Sequence, residues 1–206
     1  MAIVVDHESE YKGERKVRDA IAEHFSDDVV VYNNREVNGR EYDICLLVKD
    51  VCVFIVEVKG WLADKINVHG IDDIEVEGNA EQQKSPKKQA KSYCIQYFTK
   101  LKKQLGTSPF VVDLVAYPFI TKEQYYESHL NIISEEQFTL FKEDLGDHAS
   151  LKKKFQMAFD AKKAIPHAEL NAELISRIRR KEEPDYNDSE DKDLIQVYST
   201  LSIIPD

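Results

Sequence analysis

The stretch Tyr42–Lys59, YDICLLVKDVCVFIVEVK, constrains the fold more than any other part of the chain. Two apolar runs rich in β-branched residues, Tyr42–Val48 and Val51–Val58, flank a polar break, which predicts a β-hairpin inside a buried sheet. Three charges interrupt it: Asp43 near the start of the first strand, Glu57 and Lys59 at the end of the second. Such charges are costly to bury unless they are paired or bind a metal. The pleat puts Glu57 and Lys59 on one face, above Ile55 and Val53. A two-residue loop at Lys49-Asp50 would set Asp43 opposite Val56, on the wrong face. A three-residue loop, Lys49–Val51, sets it opposite Glu57, with facing Cβ atoms roughly 5 Å apart. Lys-Asp lacks the Asn-Gly or Asp-Gly signature of two-residue turns, so the longer loop or a bulge is expected.

Two carboxylates that close repel each other, and a divalent cation relieves the repulsion. Hard oxygen donors suit Mg²⁺, which takes one or two protein carboxylates and keeps room for water and phosphate. Lys59 then stands where an amine orients an attacking water or helps deprotonate it. The chemistry indicated is metal-assisted phosphodiester hydrolysis.

Around the hairpin, residues 1–7 read as an irregular arm. Glu8 to Phe25 reads as a helix with Val17, Ala20, Ile21, His24 and Phe25 at helical spacing and Glu14 on the same face. The plain alternative for Glu14 is a first-turn acid favoured by the helix dipole. Asp28–Tyr32 is a first strand, with turns at Asn33-Asn34 and Asn38-Gly39. Ile66–His69 and Ile74–Glu77 form a second, exposed hairpin, and Trp61 is expected beside the site mouth.

Pro86–Leu105 is an amphipathic helix capped by Ser85, with Ala90, Cys94, Tyr97, Phe98, Leu101 and Leu105 inward. Gln89, Tyr93, Gln96 and Lys100 make a polar stripe beside that face. Phe110–Ile120 and Leu130–Ile133 read as strands, with Asp113 a lone carboxylate satisfied by a neighbouring donor. Helices are expected from Glu135 to about Leu145, from Ser150 to about Lys162, and from Ala168 to Lys181. The segment from Pro184 is acidic and reads as a linker.

The ordered set Glu14, Asp43, Glu57, Lys59, Gln89, on helix, strand, strand, strand and helix, resembles the PD-(D/E)xK nuclease superfamily. EVKGW, a short hairpin and a basic SPKKQA helix resemble its nuclease-related (NERD) branch. The resemblance spans roughly the first 120 residues; Tyr42 stands where the superfamily's name has Pro. It implies an α/β fold, a restriction-endonuclease-like mixed central sheet of about four to five strands flanked by helices, with additional C-terminal helices. It also implies a metal-dependent nuclease, DNA favoured over RNA. Asp43, Glu57 and the Val58 carbonyl would hold Mg²⁺ (or Mn²⁺), with Glu14 as accessory ligand, and Lys59 would serve the attacking water. Gln89-x-x-x-Tyr93 resembles an element of some of these nucleases. Gln89 and Tyr93, with Lys87, Lys88 and Lys91, would contact the nucleic acid. The expected organisation is a nuclease core at 1–125, a completing strand and helices at 126–181, and a tail at 182–206. That tail would lead to a helicase, kinase or ATPase domain in a phage-defence or DNA-processing protein. The rival class is a weakly active or inactive module of the same fold that binds nucleic acid or a partner.

Net charge of −10 weighs against nucleic-acid binding, but its distribution softens the objection. Lys84–Lys103 carries seven lysines and no acids, whereas Glu182–Asp193 carries seven acids and one lysine. Cys45, Cys52 and Cys94, odd in number, read as buried thiols of a reducing cytoplasm rather than a zinc site or disulfide framework. No apolar run approaches membrane-spanning length, so no membrane association is expected.

Overall fold

The computed structural model describes residues 1–5, 9–79, 82–162 and 167–187. A six-stranded mixed sheet forms its centre. In spatial order it runs β1 (Ile3–Val5), β2 (Val29–Val37), β3 (Arg40–Val48), β4 (Cys52–Val58), β7 (Val111–Ala116) and β8 (Thr139–Leu140). β2, β3 and β4 are antiparallel neighbours, while β1, β7 and β8 each join in parallel. A separate hairpin, β5 (Ile66–Gly70) and β6 (Asp73–Val76), precedes the long helix α2 (Pro86–Leu105), which carries the chain over to β7.

Alternation along β4 explains why the sheet is covered on both sides. Cys52, Phe54 and Val56 face a core shared with Val17 and Ile21 of α1 (Lys12–His24) and with Leu151 and Phe155 of α4 (His148–Lys162). Val53 and Ile55 face a second core with Cys94, Tyr97 and Leu101 of α2 and with Leu174 and Ile178 of α5 (Ala172–Glu182). A third cluster joins Trp61 and Ile74 to Tyr117, Ile120 and Tyr125, the last on α3 (Lys122–Glu127). The mixed, helix-flanked α/β architecture is the one the sequence implies, with six strands instead of four or five. Among the described residues no helix is long and apolar enough to cross a membrane.

The central hairpin takes the longer loop. Val48 pairs with Cys52 and Ile44 with Val56, leaving Lys49, Asp50 and Val51 in the turn. Val51 N–H donates to Val48 O (3.1 Å) and Asp50 sits at φ 58°, the left-handed region that Asp tolerates. Asn38-Gly39 is a two-residue turn with both residues at positive φ, as a type I′ hairpin requires. All three cysteines are buried and free.

Other expectations need correction. The N-terminal arm contains β1, whose Ile-Val-Val run extends the sheet along β2. Helix α1 begins at Lys12, and Asn33-Asn34 lies within β2 rather than in a turn. β7 is shorter than Phe110–Ile120. Leu130–Ile132 is a single 3₁₀ turn, not a strand: Leu130 and Ile133, three residues apart, both point into the third cluster. The helix expected over 135–145 is replaced by short 3₁₀ turns around β8, because the free edge of β7 recruits Thr139 and Leu140. Ser85 makes no side-chain cap on α2, and Phe98 is exposed. The acidic tail beyond Asn187 lies outside the described residues.

Asp113 is satisfied as expected, by two amines from opposite sides. Lys87 Nζ lies 2.8 Å from Asp113 Oδ2, and Lys162 pairs with Oδ1. Burial alone would raise the Asp113 carboxyl, but these lysines outweigh it and hold it below the usual aspartate range. Its stabilisation is therefore present above the ordinary aspartate pKa (about 3.9) and is lost as acidification passes through the lowered folded value. Asp113→Ala should cost about 3–5 kcal/mol in urea unfolding at neutral pH, since it strands two partly buried amines. The difference from wild type should shrink in acid.

Candidate active site

The sheet parts at one point. Pairing between β3 and β4 ends at Ile44–Val56. Beyond it β3 continues only with β2, and β4 only with β7, through Glu57–Val115 and Val58–Ala116. In the gap the Asp43 side chain replaces the missing ladder partner: Val58 N–H donates to Asp43 Oδ2 (2.6 Å). One further step of the register places Asp43 across from Glu57. Glu57 is 4% exposed; its Oε1 accepts from Lys59 Nζ (2.7 Å), while its Oε2 is buried with no hydrogen-bond partner. Lys59 N–H donates to Ala116 O (2.9 Å), fixing the strand end from which its side chain reaches back.

Glu14 is delivered from the other side by a close approach of α1. A Cβ on Gly13 would lie 3.2 Å from Gly60 Cα and 3.3 Å from Pro118 Cγ, so any larger residue would push the helix start a few tenths of an ångström off the end of β4. Lys16 Nζ donates to Pro118 O (2.7 Å), tying the same turn to the chain after β7. Buried Ser9 donates its hydroxyl to Glu14 Oε2, and Arg15 Nη1 donates to Ser9 O and Glu10 O (2.8 Å each).

Asn34 is a site residue that sequence reasoning missed. The β2–β3 register sets it beside Asp43, and its amide lies close enough to Glu14 to favour the ionised carboxylate. It sits at φ 48° inside a strand. That backbone turn disturbs the alternation: Tyr32 and Val37, five residues apart, face the same core, as do Tyr42 and Cys45 across from them. Paired asparagines in a strand were the available signal, because Asn is the side chain that most readily accepts this conformation.

Burial raises all three acids, and neighbouring carboxylates add to it unequally. Burial pushes Asp43 well above the usual carboxylate range and the charges of Glu57 and Glu14 add to this, against the Val58 N–H and Lys59. Burial also raises Glu57, opposed by the Lys59 ion pair. Glu14 is raised by burial and by Glu41, against Ser9 and Asn34. One ammonium thus faces three carboxyl groups. Among the described residues, however, no three His, Cys, Asp or Glu side chains converge closely enough to cage a metal by themselves.

The stripe on α2 divides. Tyr93 lies within the field of the site: burial raises its phenol, and Glu57 and Asp43 raise it further. Gln89, one turn earlier, has a buried Oε1 without a partner. Lys100 is turned away, onto Glu182 (2.7 Å). Of the three lysines expected to meet nucleic acid, Lys87 is drawn inward to Asp113, so it does not belong to an open basic surface. Lys88 pairs with Asp72 at the surface, and Lys91 is exposed.

A nuclease-like α/β fold is also what comparison with known families gives. The family model of the nuclease-related domain, NERD, matches residues 9–118, just over half of the chain, and the chain belongs to that family. Comparison with curated proteins and with solved structures gives no match.

Raised carboxyl pKa values in the folded state mean that it holds protons which the unfolded chain has released. The cluster therefore destabilises the metal-free fold as pH rises from the ordinary carboxylate range (about 4) through the raised folded values. Asp43→Asn, which still accepts from Val58 N–H, should raise the urea midpoint in EDTA at pH 8. That gain should vanish near pH 4.

Proposed function

We propose that this chain hydrolyses phosphodiester bonds in nucleic acid, DNA before RNA, with Mg²⁺ or Mn²⁺ as cofactor. One observation carries the reading: a buried, partnerless Glu57 Oε2 beside a second carboxylate, with burial raising both and the charge of Glu57 raising Asp43 further. Such a site, with one ammonium facing three carboxyl groups, is short of positive charge, and its oxygen donors are hard. Asp43, Glu57 and the Val58 carbonyl would hold the ion, a two-carboxylate set of the kind Mg²⁺ accepts. Glu14, held by Ser9, would complete the outer coordination. When bound, a divalent cation supplies Lewis acidity, neutralising phosphate charge and acidifying water.

The protein's own groups do the rest. Lys59, anchored on Glu57, orients the attacking water and stabilises the charge that accumulates on the phosphorus oxygens. Water adds to phosphorus, the bond to the leaving oxygen breaks, and that oxygen takes up a proton. Gln89 and Tyr93 steer the strand. A setting in a larger defence or DNA-processing protein of the cytoplasm belongs to the same reading and rests on the family resemblance.

A second reading, a binding module that cuts weakly or not at all, draws on the Lys59–Glu57 ion pair, which already neutralises one carboxylate. Titration calorimetry and cleavage separate the two. Wild type should bind Mg²⁺ and cut supercoiled, linear or single-stranded DNA; Asp43→Ala should abolish both. Lys59→Ala should retain metal binding and lose about 10²- to 10³-fold in rate. Metal binding without cleavage of any DNA or RNA would leave the binding module.

A further inference from the structure

Beside the carboxylate centre lies a cleft of about 360 Å³ lined by Arg40, Glu41, Lys84, Gln89, Ser92 and Tyr93. We infer that it is a subsite for one unpaired nucleotide of a nucleic-acid strand. Its placement next to the bond being cut rests on the function proposed above; the binding itself does not.

Four observations support the assignment. The volume is near the lower end of ligand-sized pockets, roughly 300–1,000 Å³, which suits a single nucleotide and not a stacked, paired duplex. Arg40 and Lys84 are exposed on its wall and make no ion pair among the described residues, unlike Lys87, Lys88 and Lys100 of the adjoining helix. Tyr93 offers an aromatic face, and the phenol senses Arg40 as well as Glu57 and Asp43, so cleft and acid cluster share one electrostatic neighbourhood. Gln89 brings a buried carbonyl oxygen with no hydrogen-bond partner, an acceptor for a base N–H or a sugar hydroxyl. Cationic rim, aromatic platform and free amide acceptor are the parts by which proteins hold single strands. Glu41 works against a phosphate here.

The roles predict different signatures in fluorescence anisotropy of the full chain in EDTA. The probes are labelled oligothymidylate, oligouridylate and a blunt duplex of matched length. Both single strands should bind more tightly than the duplex; a preference between thymidylate and uridylate distinguishes DNA from RNA. Arg40→Ala with Lys84→Ala should weaken single-strand binding. It should also flatten the slope of log K against log salt by roughly 0.7 for each phosphate that is no longer neutralised. Tyr93→Leu should weaken binding about tenfold or more with the slope unchanged, because stacking releases no counterions. Glu41→Gln should tighten it. Wild-type affinity and slope in the double variant, or preference for the duplex, overturns the subsite. Strand binding that depends on Arg40, Lys84 and Tyr93 in a protein that cuts nothing keeps the subsite and removes the reaction. Asp43-dependent cutting with strand binding indifferent to Arg40 and Lys84 does the reverse.

Discussion

The hydrogen bond from Val58 N–H to Asp43 Oδ2 is the contact on which the site depends. Had β3 gone on pairing with β4, that amide would face a backbone carbonyl and the two carboxylates would lie in a closed ladder. Where the strands diverge, the amide would be left without a partner, at a cost comparable to that of a broken hydrogen bond. Asp43 removes that cost with a side chain. One carboxylate therefore holds the sheet open and brings negative charge to the opening. The geometry that exposes the gap is the geometry that charges it.

Glu14 arrives by a different logic. It belongs to a helix, and a helix backbone normally stands off a strand by the thickness of its side chains. The Gly13–Gly60 contact removes that spacing at one turn. Ser9 then holds the carboxylate by a hydrogen bond, and Asn34 favours its ionised form. Asn34 bears backbone strain to do so, and strained backbone inside an otherwise regular strand persists only where surrounding structure holds it. The cluster is thus assembled from a strand end, a strand irregularity and a helix start, each costing some local stability.

Legibility in the sequence followed the range of the interactions. The hairpin register was readable because Asp43, Glu57 and the three-residue loop lie within one short segment whose period is fixed at two. Helix α2 was readable because its signals, Pro86 at the first helical position and the helical spacing of Ala90, Cys94, Tyr97 and Leu101, are local. β8 was not: Phe138, Leu140, Phe141 and Leu145 are spaced like a helix, and only the unpaired edge of β7, distant in sequence, draws Thr139 and Leu140 into a strand. Asn34 was hidden for the opposite reason, since a tolerance for positive φ usually marks a turn and here serves inside a strand. The lysine-rich helix misled by count. Its composition showed six cations without showing that Asp113, Asp72 and Glu182 claim three of them.

That redistribution bears on how an acidic protein meets a polyanion. At physiological salt the Debye length is about 8 Å, so charges farther away than that contribute little to a contact. The net charge of −10 then governs approach, while what happens at the opening depends on the few cations left uncommitted there. Ion pairs that bury Lys87 and Lys100 commit positive charge to holding α2 to the sheet and to α5, and so limit the basic surface to a small rim. A rim of that extent favours a short contact with a few phosphates over the long tract of a bound duplex. On the proposed function, folding stability and substrate footprint are coupled through the same lysines.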